Sequence, residues 1–380
     1  MATRQILGIS AVLSVSYVAS AKKQEIPPAN NIRGAYFGAL VADALTLGSH
    51  YEYDAVKIKK AYGGDIDRFM GPGEHMGGMT HGVGWGERNY HPGAVAGDQT
   101  DYGEYNVLVL EHLANTCNGG NCPKPFSVQE FLPHWEKRIT TGWKQWVCSQ
   151  TRRAYDVLKQ GGSEAELGGP SNAMGLRFAA AFAHYDSEEE VVDAALKSMF
   201  THAETTARDG AEFFARLTYR VLHGADVETA VRDVAKVSSP FIQTKVQQAI
   251  DKVKEATDPS TSLSKEEFAD DLALTSMARL WDVGKSEPIK VGKASPTEGT
   301  LPGALYFILK YNDFKKAVVA SAMVGGDNAS RAIAVGMVLG AKEGVEAIPE
   351  KWRSTLNHWS SSDALLGQLP LLKGVAEREL

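Results

Sequence analysis

The stretch of residues 323–344, Met-Val-Gly-Gly-Asp-Asn-Ala-Ser-Arg-Ala-Ile-Ala-Val-Gly-Met-Val-Leu-Gly-Ala-Lys-Glu-Gly, constrains the fold more than any other. Small and apolar residues dominate it, and glycine recurs at every fourth position, at Gly336, Gly340 and Gly344. Because glycine costs a helix about 1 kcal/mol relative to alanine, a stripe of glycines needs a physical reason. A stripe without side chains lets another helix approach closely. The pattern therefore predicts a buried helix packed tightly against a neighbour.

Polar residues at the start of this predicted helix indicate a binding site. A helix N-terminus presents free amide hydrogens and the positive end of the helix dipole, so it favours anions and polar ligands. Asp327, Asn328, Ser330 and Arg331 all fall there, and asparagine is a residue type that caps helices well. We expect Asp327, Asn328 and Arg331 to bind substrate, with Arg331 contacting an anion. The alternative is that Asp327 and Arg331, four residues apart, form an ion pair on a helix surface.

Helical periodicity recurs along most of the chain, and no run of alternating apolar and polar residues suggests a sheet. This pattern predicts an all-α fold of 380 residues, long enough to bury a large core. We expect one compact domain over residues 33–375, preceded by a signal at 1–21 and an N-terminal extension at 22–32. Besides the glycine-rich helix, helices are predicted at 33–47, 102–115, 188–200, 205–222, 227–237, 243–256 and 304–310.

The first 21 residues have the pattern of a secretory signal peptide. Arg4 supplies a short basic region, residues 6–18 are apolar apart from several serines, and the Ala-Ser-Ala sequence at 19–21 suits a cleavage site. We therefore expect a secretory or extracellular protein. The alternative is an organellar transit peptide, because serine is frequent and no acidic residue precedes Glu25. No later segment is apolar enough over a sufficient length to span a bilayer, so we expect no membrane contact after cleavage.

Charge and cysteine content limit the partners and the compartment. A net charge of -6 without any run of lysine and arginine argues against nucleic acid, so we expect a small-molecule substrate. Cys117 and Cys122 flank the loop Asn-Gly-Gly-Asn and could form a disulfide in an oxidising compartment. Cys148 is then left over.

Residues 97–104, Gly-Asp-Gln-Thr-Asp-Tyr-Gly-Glu, open the helix predicted at 102–115 with two acidic side chains. Asp101 and Glu104 are three residues apart, so they share one face of the first helical turn. Two carboxyl groups on one face can serve as acid and base in catalysis. The alternative is capping, because acidic residues stabilise a helix start through its dipole.

Three other polar groups are weaker signals when each is taken alone. Residues 169–177 form a glycine-proline turn that runs into a predicted helix and could present backbone amides to a ligand. His202 follows Thr201 and could contact a ligand, although a buried and hydrogen-bonded histidine is the alternative. His50, Glu52 and Asp54 follow the first predicted helix, where the polarity of a surface loop is the alternative.

The order of these segments resembles the ADP-ribosylglycohydrolase family. Six blocks, spanning about residues 33–352, together imply the compact helical domain of that family. The blocks are Gly-Ala-Tyr-Phe-Gly-Ala-Leu-Val-Ala-Asp-Ala-Leu at 34–45 for its opening helix, Thr-Asp at 100–101 for its Thr-Asp-Asp-Thr motif, residues 169–177 for its Gly-Ser-Asn-Gly substrate loop, Thr-His at 201–202 for its Ser/Thr-His helix start, residues 302–306, 313–314 and 325–327 for its C-terminal block, and Ile-Pro at 348–349 with Trp352 for its ending.

In that family two Mg²⁺ ions lie between the Thr-Asp-Asp-Thr helix and a late Asp-x-Asp-Thr turn, and they position the ribose of ADP-ribose for hydrolysis. The resemblance implies metal ligands at Thr100, Asp101 and Asp327, with Ser330 as a hydroxyl substitute. It also implies that Asn172 and His202 contact substrate.

Two substitutions depart from this pattern, since Tyr102 replaces the second aspartate and Ala329 the late one. Two divalent ions about 4 Å apart repel by roughly 15 kcal/mol even at an effective dielectric constant of about 20. Carboxylates must offset that repulsion, and neither a tyrosine ring nor a methyl group is a ligand for magnesium. We therefore expect either no cofactor or a single weakly bound Mg²⁺.

The sequences at 97–103 and 325–331 are similar to the J-crystallin branch of this superfamily, which includes jellyfish lens proteins. Two functions therefore stay open. The first is a divergent hydrolase of a glycosidic or similar bond in a small polar, nucleoside-like substrate, with Asp101 or Glu104 as the acid or base. The second is a catalytically silent structural or binding protein. The polar residues kept at the helix starts favour the enzyme.

Overall fold

The computed structural model describes residues 26–72, 91–117, 122–123, 125–143, 146–171, 173–277 and 292–373, with the backbone of 279–280 and 289–290. The predicted all-α class is confirmed. The strands β1 (Arg279–Leu280) and β2 (Ile289–Lys290) form a two-residue antiparallel pair. The sixteen α-helices of the described residues are Ala29–Thr46 (α1), Ala55–Tyr62 (α2), Asp101–Thr116 (α3), Val128–Thr140 (α4), Ser149–Lys159 (α5), Ala181–His184 (α6), Glu188–Ser198 (α7), Thr205–Leu222 (α8), Val227–Val237 (α9), Pro240–Thr257 (α10), Ala269–Met277 (α11), Thr297–Tyr311 (α12), Phe314–Val324 (α13), Asn328–Glu343 (α14), Glu350–Thr355 (α15) and Trp359–Leu366 (α16).

Helices α1 and α14 run antiparallel at the centre of the molecule, and glycine faces glycine between them. Gly34 lies against Gly340, and Gly38 lies against Gly336. A Cβ atom added to any of these four residues would collide with the backbone carbonyl oxygen of the facing glycine. The close helix packing predicted from the glycines of α14 is therefore confirmed, and α1 supplies a matching pair of glycines.

Helix α14 is buried on every side. All residues from 328 to 341 are buried, and the helix packs against α1, α3, α8, α12 and α13. A helix that is apolar around its whole circumference belongs in the middle of a fold rather than at its surface. The polar residues of its first turn are consequently buried as well.

The start of α1 differs from the prediction. The helix begins at Ala29, directly after Pro28, whereas the sequence predicted an extension as far as residue 32. The side chain of Asn31 donates to the Ala341 carbonyl oxygen at 2.8 Å, and the Asn30 side chain accepts from the Val345 amide at 3.1 Å. These asparagines satisfy backbone groups at the end of α14, which explains how polar residues can begin a central helix.

Helix α12 begins at Thr297, seven residues before the segment predicted at 304–310. Gly299, Pro302 and Gly303 interrupt the periodicity of its first turns and hide the helix in the sequence. Gly303 is needed for packing, because a Cβ atom there would lie 3.2 Å from Cδ of Arg331. The interruption is therefore a packing feature of this helix.

The N-terminal and cysteine predictions have different outcomes. The predicted signal peptide at 1–21 lies outside the described residues. Cys117 and Cys122 are joined by a disulfide, as their spacing suggested, and Cys148 is free. Among the helices that the structure describes, none has both the length and the apolarity needed to cross a membrane.

Candidate functional site

The antiparallel packing of α1 and α14 places the end of α1 beside the start of α14. His50 lies just past α1, and its Nδ1 atom is 3.1 Å from Oδ1 of Asn328. Nδ2 of Asn328 donates to Oγ of Ser49 at 3.1 Å. Asp327, and not Asn328, occupies the N-cap position of α14. Asn328 therefore ties two helix ends together within the protein instead of capping the helix.

The start of α3 faces the start of α14. The hydroxyl of Tyr102 donates to Oδ2 of Asp327 at 3.4 Å, and Asp101 directly precedes Tyr102. His91 completes the group, because its ring lies 5.2 Å from the ring of His50. We refer to His50, His91, Asp101, Tyr102 and Asp327 as the polar site.

A third carboxyl group, that of Asp43, lies beneath this site and fixes the start of α3. The Thr100 amide donates to Oδ2 of Asp43 at 2.8 Å, and the Thr100 hydroxyl donates to Oδ1 at 2.6 Å. The Thr100 hydroxyl oxygen also accepts from the Tyr102 amide at 3.2 Å, which makes Thr100 the N-cap of α3. The resemblance implied a metal ligand at Thr100, but its hydroxyl is engaged within the protein.

Asp101 and Asp327 have incompletely satisfied carboxyl groups. Asp101 is 7% exposed and Asp327 is 2% exposed. The Oδ1 atom of each has no hydrogen-bond partner among the described residues. A buried polar atom without a partner costs about 1–3 kcal/mol, and buried unpaired groups are uncommon in folded proteins. The structure thus keeps two acceptor atoms available at the polar site.

Burial makes these carboxyl groups hard to ionise. It raises the pKa of Asp43 and of Asp327 to about 7 in each case. It raises the pKa of Asp101 well above the usual range, and the charges of Asp327 and Asp43 raise it further. Because like charges at short range cannot all ionise, Asp101 is the member of the cluster that holds a proton most readily.

Glu104 has neighbours different from those of Asp101, although both were predicted to act as acid or base. One oxygen of Glu104 is 2.9 Å from Nε2 of His358, and the other accepts from Arg138 at 2.9 Å. Burial alone would raise the pKa of Glu104, but the hydrogen bonds and charges of His358 and Arg138 lower it below the usual value. Its two oxygens are thus engaged in ion pairs, and we leave Glu104 out of the proposed chemistry.

Arg331 points into the protein, in contrast to the anion contact predicted for it. Its guanidinium donates to the carbonyl oxygens of Ser321 and Gly325, both at 2.9 Å, and to Oγ of Ser321 at 3.1 Å. These carbonyls belong to the end of α13, where a helix leaves acceptors unpaired. Arg331 therefore caps α13 instead of forming the surface ion pair with Asp327 that was the alternative. Its positive charge still lowers the pKa of Asp327, although burial raises that pKa by more.

The predicted substrate loop and the Thr-His segment do come together. The Gly169 amide donates to the Thr201 carbonyl oxygen at 3.0 Å, and the Ala203 amide donates to the Gly169 carbonyl oxygen at 3.1 Å. His202 is buried beside this contact, with Nδ1 at 2.8 Å from Oγ1 of Thr201. Asn172, predicted to bind substrate, lies outside the described residues.

Arg177 supplies a cation that the sequence did not single out. Its guanidinium lies 3.7 Å above the ring of Tyr105 and donates to Oγ1 of Thr201 at 2.7 Å. The charge of Arg177 lowers the pKa of Asp101, although burial raises that pKa by more. Arg177 therefore lies within electrostatic range of the polar site. Burial and this charge also lower the pKa of His202 to about 3, so His202 is neutral.

The two histidines of the polar site are the other residues that the sequence did not assign. His50 is 1% exposed, and burial lowers its pKa to about 4, so its ring is neutral near pH 7. One ring nitrogen of His50, one of His91 and a carboxyl oxygen of Asp101 lie within 4.8 Å of one another. His91 carries no signal in the sequence, since no periodic segment or motif surrounds it.

The residues do not fit the pair of Mg²⁺ ions implied by the resemblance. Tyr102 donates its hydroxyl to Asp327 where the family has a carboxylate, and Ala329 has no donor atom at all. The ligand atoms grouped with the Asp101 carboxyl oxygen are two imidazole nitrogens, whereas Mg²⁺ requires an octahedron of oxygen ligands. We therefore derive no chemical step through paired magnesium.

Comparison with known proteins agrees with this architecture. A family model described as ADP-ribosylglycohydrolase matches residues 24–379. The fold is similar to that of a solved structure named "ADP-ribosylglycohydrolase-related protein complex", with a TM-score of 0.56 and 19% sequence identity over 90% of this chain and 98% of that chain. No curated protein matches the sequence. Because the family model spans nearly the whole chain, the protein belongs to the ADP-ribosylglycohydrolase family.

Proposed function

We propose that this protein is a hydrolase that cleaves a glycosidic bond, or a bond of similar chemistry, in a small polar, nucleoside-like substrate. The observation that carries the proposal is the pair of buried carboxyl groups of Asp101 and Asp327, each with one oxygen that has no hydrogen-bond partner among the described residues. Perturbed ionisable groups that face each other at helix starts are typical of catalytic sites.

The two carboxyl groups suit different roles. Glycoside hydrolysis uses one protonated carboxyl to protonate the leaving oxygen and one carboxylate to act on the opposite side of the sugar carbon. Asp101 fits the acid, because burial and two neighbouring aspartates favour its protonated form. Asp327, with a pKa raised by burial to about 7, fits the base that accepts a proton from the attacking water. Arg177, whose charge reaches Asp101, is the cation that we propose for an anionic part of the substrate.

A protein without catalytic function would gain from losing these groups. Replacing Asp101 by a residue without charge would remove a buried acceptor that costs about 1–3 kcal/mol while it has no partner. Active sites are where such costs are retained.

We propose at most one weakly bound Mg²⁺ as a cofactor, a small molecule as the partner, and entry into the secretory pathway. The last point is tested by N-terminal sequencing of the protein from its natural source.

A second candidate, a silent J-crystallin-like structural or binding protein, is favoured by one observation. Tyr102 fills the position of a family metal ligand and donates its hydroxyl to Asp327 at 3.4 Å. Tyr102 thus supplies a hydrogen bond where the family has a metal ligand, which would suit a protein that no longer catalyses the reaction.

A screen for ligands and turnover separates the two candidates. The purified protein is heated with ADP-ribose, nucleosides or small sugars, with and without Mg²⁺, and release of free sugar or base from glycosides is assayed in parallel. A ligand at a hundredfold excess over its Kd adds about 2.7 kcal/mol of stability. The hydrolase predicts such a shift together with turnover. An absence of both, in folded protein, would favour the silent alternative.

The variant Asp101→Asn then tests the assignment. Turnover should be abolished while the ligand still raises the melting temperature, because an amide keeps the shape of the side chain but cannot supply an acidic proton. Asp258→Asn is the matched control, since Asp258 is an exposed residue after α10. If Asp101→Asn turns over substrate as the parent does, Asp101 is not the acid.

A further inference from the structure

We propose that His50, His91 and Asp101 form a binding site for a single divalent transition-metal ion of the first row, such as Zn²⁺ or Fe²⁺. The site lies where the family would place magnesium, but it uses a different set of ligands. The ion can bind whether or not the protein is a hydrolase, but Asp101 must lose its proton to bind it, so Asp101 can act as an acid only in the metal-free protein.

The geometry permits one ion. The three ligand atoms already lie within 4.8 Å of one another, and all three side chains are buried. Bond lengths of about 2.0–2.2 Å place the ligand atoms around a zinc ion roughly 3–3.5 Å apart. Rotations that move each atom by an ångström or so therefore close the site without a change of fold.

His50 is held in the orientation and tautomer that a metal ligand needs. Nδ2 of Asn328 donates to Ser49, so Oδ1 of Asn328 faces His50 as an acceptor. Nδ1 of His50 must then carry the hydrogen, and Nε2 must present its lone pair. In metal sites the ligating histidine regularly donates its other ring N–H to such a partner, which fixes the ring.

The lone pair of His50 faces other acceptors. Its Nε2 atom has no hydrogen-bond partner among the described residues and lies 3.8 Å from Oδ1 of Asp327, which is also without a partner there. Two buried acceptors that face each other are unfavourable unless a proton or a cation lies between or beside them. A metal ion bound to His50 and Asp101 would relieve this unfavourable contact. A water molecule on the ion would then lie next to Asp327.

The ligand types select among metals. Two imidazole nitrogens and one carboxylate suit zinc and iron, and this set with open positions is known from both zinc and non-haem iron sites. Mg²⁺ prefers oxygen ligands and gives up its water reluctantly. The polar site should therefore discriminate strongly against Mg²⁺.

The test uses Co²⁺ as a spectroscopic probe, because it replaces zinc and absorbs visible light when bound by nitrogen and oxygen ligands. The full-length protein is stripped with a chelator and titrated with Co²⁺, and Zn²⁺ or Mg²⁺ is then added as a competitor. We expect one Co²⁺ per chain, displacement by Zn²⁺ and none by an equal concentration of Mg²⁺. His50→Gln and Asp101→Asn should each weaken Co²⁺ binding about 100-fold or more, and Asn328→Ala about tenfold, as a residue behind a ligand does.

His112→Gln is the matched control. His112 is also buried, and its position eleven residues beyond Asp101 on α3 places it about 16 Å away along the helix axis. The His112→Gln variant should bind Co²⁺ as the parent does. Thermal melting of each variant without metal shows whether that variant is folded. The proposal is overturned if the folded parent binds no Co²⁺, if His50→Gln binds it as the parent does, or if His112→Gln loses it equally.

The metal proposal and the hydrolase proposal fail separately. Stoichiometric Co²⁺ binding by a protein that turns over no glycoside, either with or without the ion, supports the metal site and counts against the hydrolase. If the protein turns over substrate after treatment with a chelator and binds no Co²⁺, the hydrolase proposal is supported and the metal site is overturned.

Discussion

Gly38 of α1 lies directly against Gly336 of α14, with no side chain between the two backbones. Together with the contact between Gly34 and Gly340, this pairing sets the antiparallel register of the two central helices. The register in turn brings His50, just beyond α1, against Asn328 at the start of α14. The glycines therefore position the polar site, although none of them belongs to it.

The variant Gly38→Ala should destabilise the protein. Its Cβ atom would collide with the Gly336 carbonyl oxygen, and neither helix can retreat because residues 34–46 of α1 and 328–341 of α14 are all buried. Overpacking of this kind costs about 1–3 kcal/mol. Urea denaturation of the variant and its parent measures the loss.

Gly367→Ala provides the control for that comparison. Gly367 has a helical φ of -60°, and the nearest atom to a Cβ added there would be the Asp363 carbonyl oxygen, at 3.5 Å. Its unfolding free energy should change by less than about 0.5 kcal/mol. Equal stability of Gly38→Ala and its parent would show that α1 and α14 can separate freely.

Arg331→Met should cost stability rather than ligand affinity. Removing the guanidinium leaves the Ser321 and Gly325 carbonyl oxygens at the end of α13 without their donor. Each buried acceptor left unpaired costs roughly 1–3 kcal/mol, so the unfolding free energy should fall by at least about 2 kcal/mol. Denaturation measures the loss, and titration with any ligand found in the screen measures affinity in the folded variant.

The exposed ion pair of Arg232 with Glu228 on α9 gives the matched comparison. Arg232→Met should lose less than about 1 kcal/mol, as surface ion pairs do. If Arg331→Met is as stable as the parent but loses much of its ligand affinity, Arg331 is an anion contact.

His358→Gln should destabilise the protein more at low pH than at high pH. The hydrogen bond to Glu104 raises the pKa of His358 in the folded state, so the folded protein binds this proton more tightly than the unfolded chain. The resulting stabilisation is complete below the unfolded pKa of 6.5 and is lost as the pH rises through the higher folded value. Because His358 is partly exposed and Arg138 remains, we expect a loss of about 1 kcal/mol near pH 6 and less near pH 9.

Urea denaturation at the two pH values measures that difference. His223→Gln is the control for the loss of a histidine ring, because Nδ1 of His223 lies 2.8 Å from the Tyr219 carbonyl oxygen rather than beside a carboxylate. An effect of His358→Gln that grows with pH would contradict the predicted ion pair.

Much of the fold could be predicted because amphipathic helices carry their pattern locally. Helices α8 and α9 begin and end where periodicity placed them, at 205–222 and 227–237. Helix α5 was missed although Ala154, Tyr155 and Leu158 form a short apolar stripe, because charged and polar residues dominate it and only Thr151 and Ala154 are fully buried. Helix α4 was hidden by Pro133 in its interior.

The site was predictable only where a motif or a helix start marked it. Asp101 and Asp327 were found in this way. His50 was noticed only as part of a polar group with a surface loop as the alternative, because its burial results from the packing of α1 on α14, which lie almost three hundred residues apart in the chain. The orientation of the Glu104 side chain depends on its contact with His358. The orientation of Arg331 depends on backbone carbonyl oxygens, which every residue has and which no sequence pattern marks.

The last prediction is that Tyr102→Asp strengthens magnesium binding. The substitution removes the hydroxyl that donates to Oδ2 of Asp327 and adds a carboxylate at a position where the family has one. Both changes supply oxygen ligands of the kind that Mg²⁺ prefers. We expect weak binding of Mg²⁺ by the parent and at least about tenfold tighter binding by the variant, a gain of about 1.4 kcal/mol. Calorimetric titration of both proteins measures it.

Tyr102→Phe distinguishes the two contributions, since it releases Asp327 without adding a ligand. If freeing Asp327 were sufficient, Tyr102→Phe would bind Mg²⁺ as tightly as Tyr102→Asp. We expect it to remain close to the parent, because one more free oxygen does not offset the cost of stripping water from a small, strongly hydrated ion. Binding of two Mg²⁺ ions by the parent with micromolar affinity would contradict the whole account, because Tyr102 and Ala329 would then not have removed the paired site.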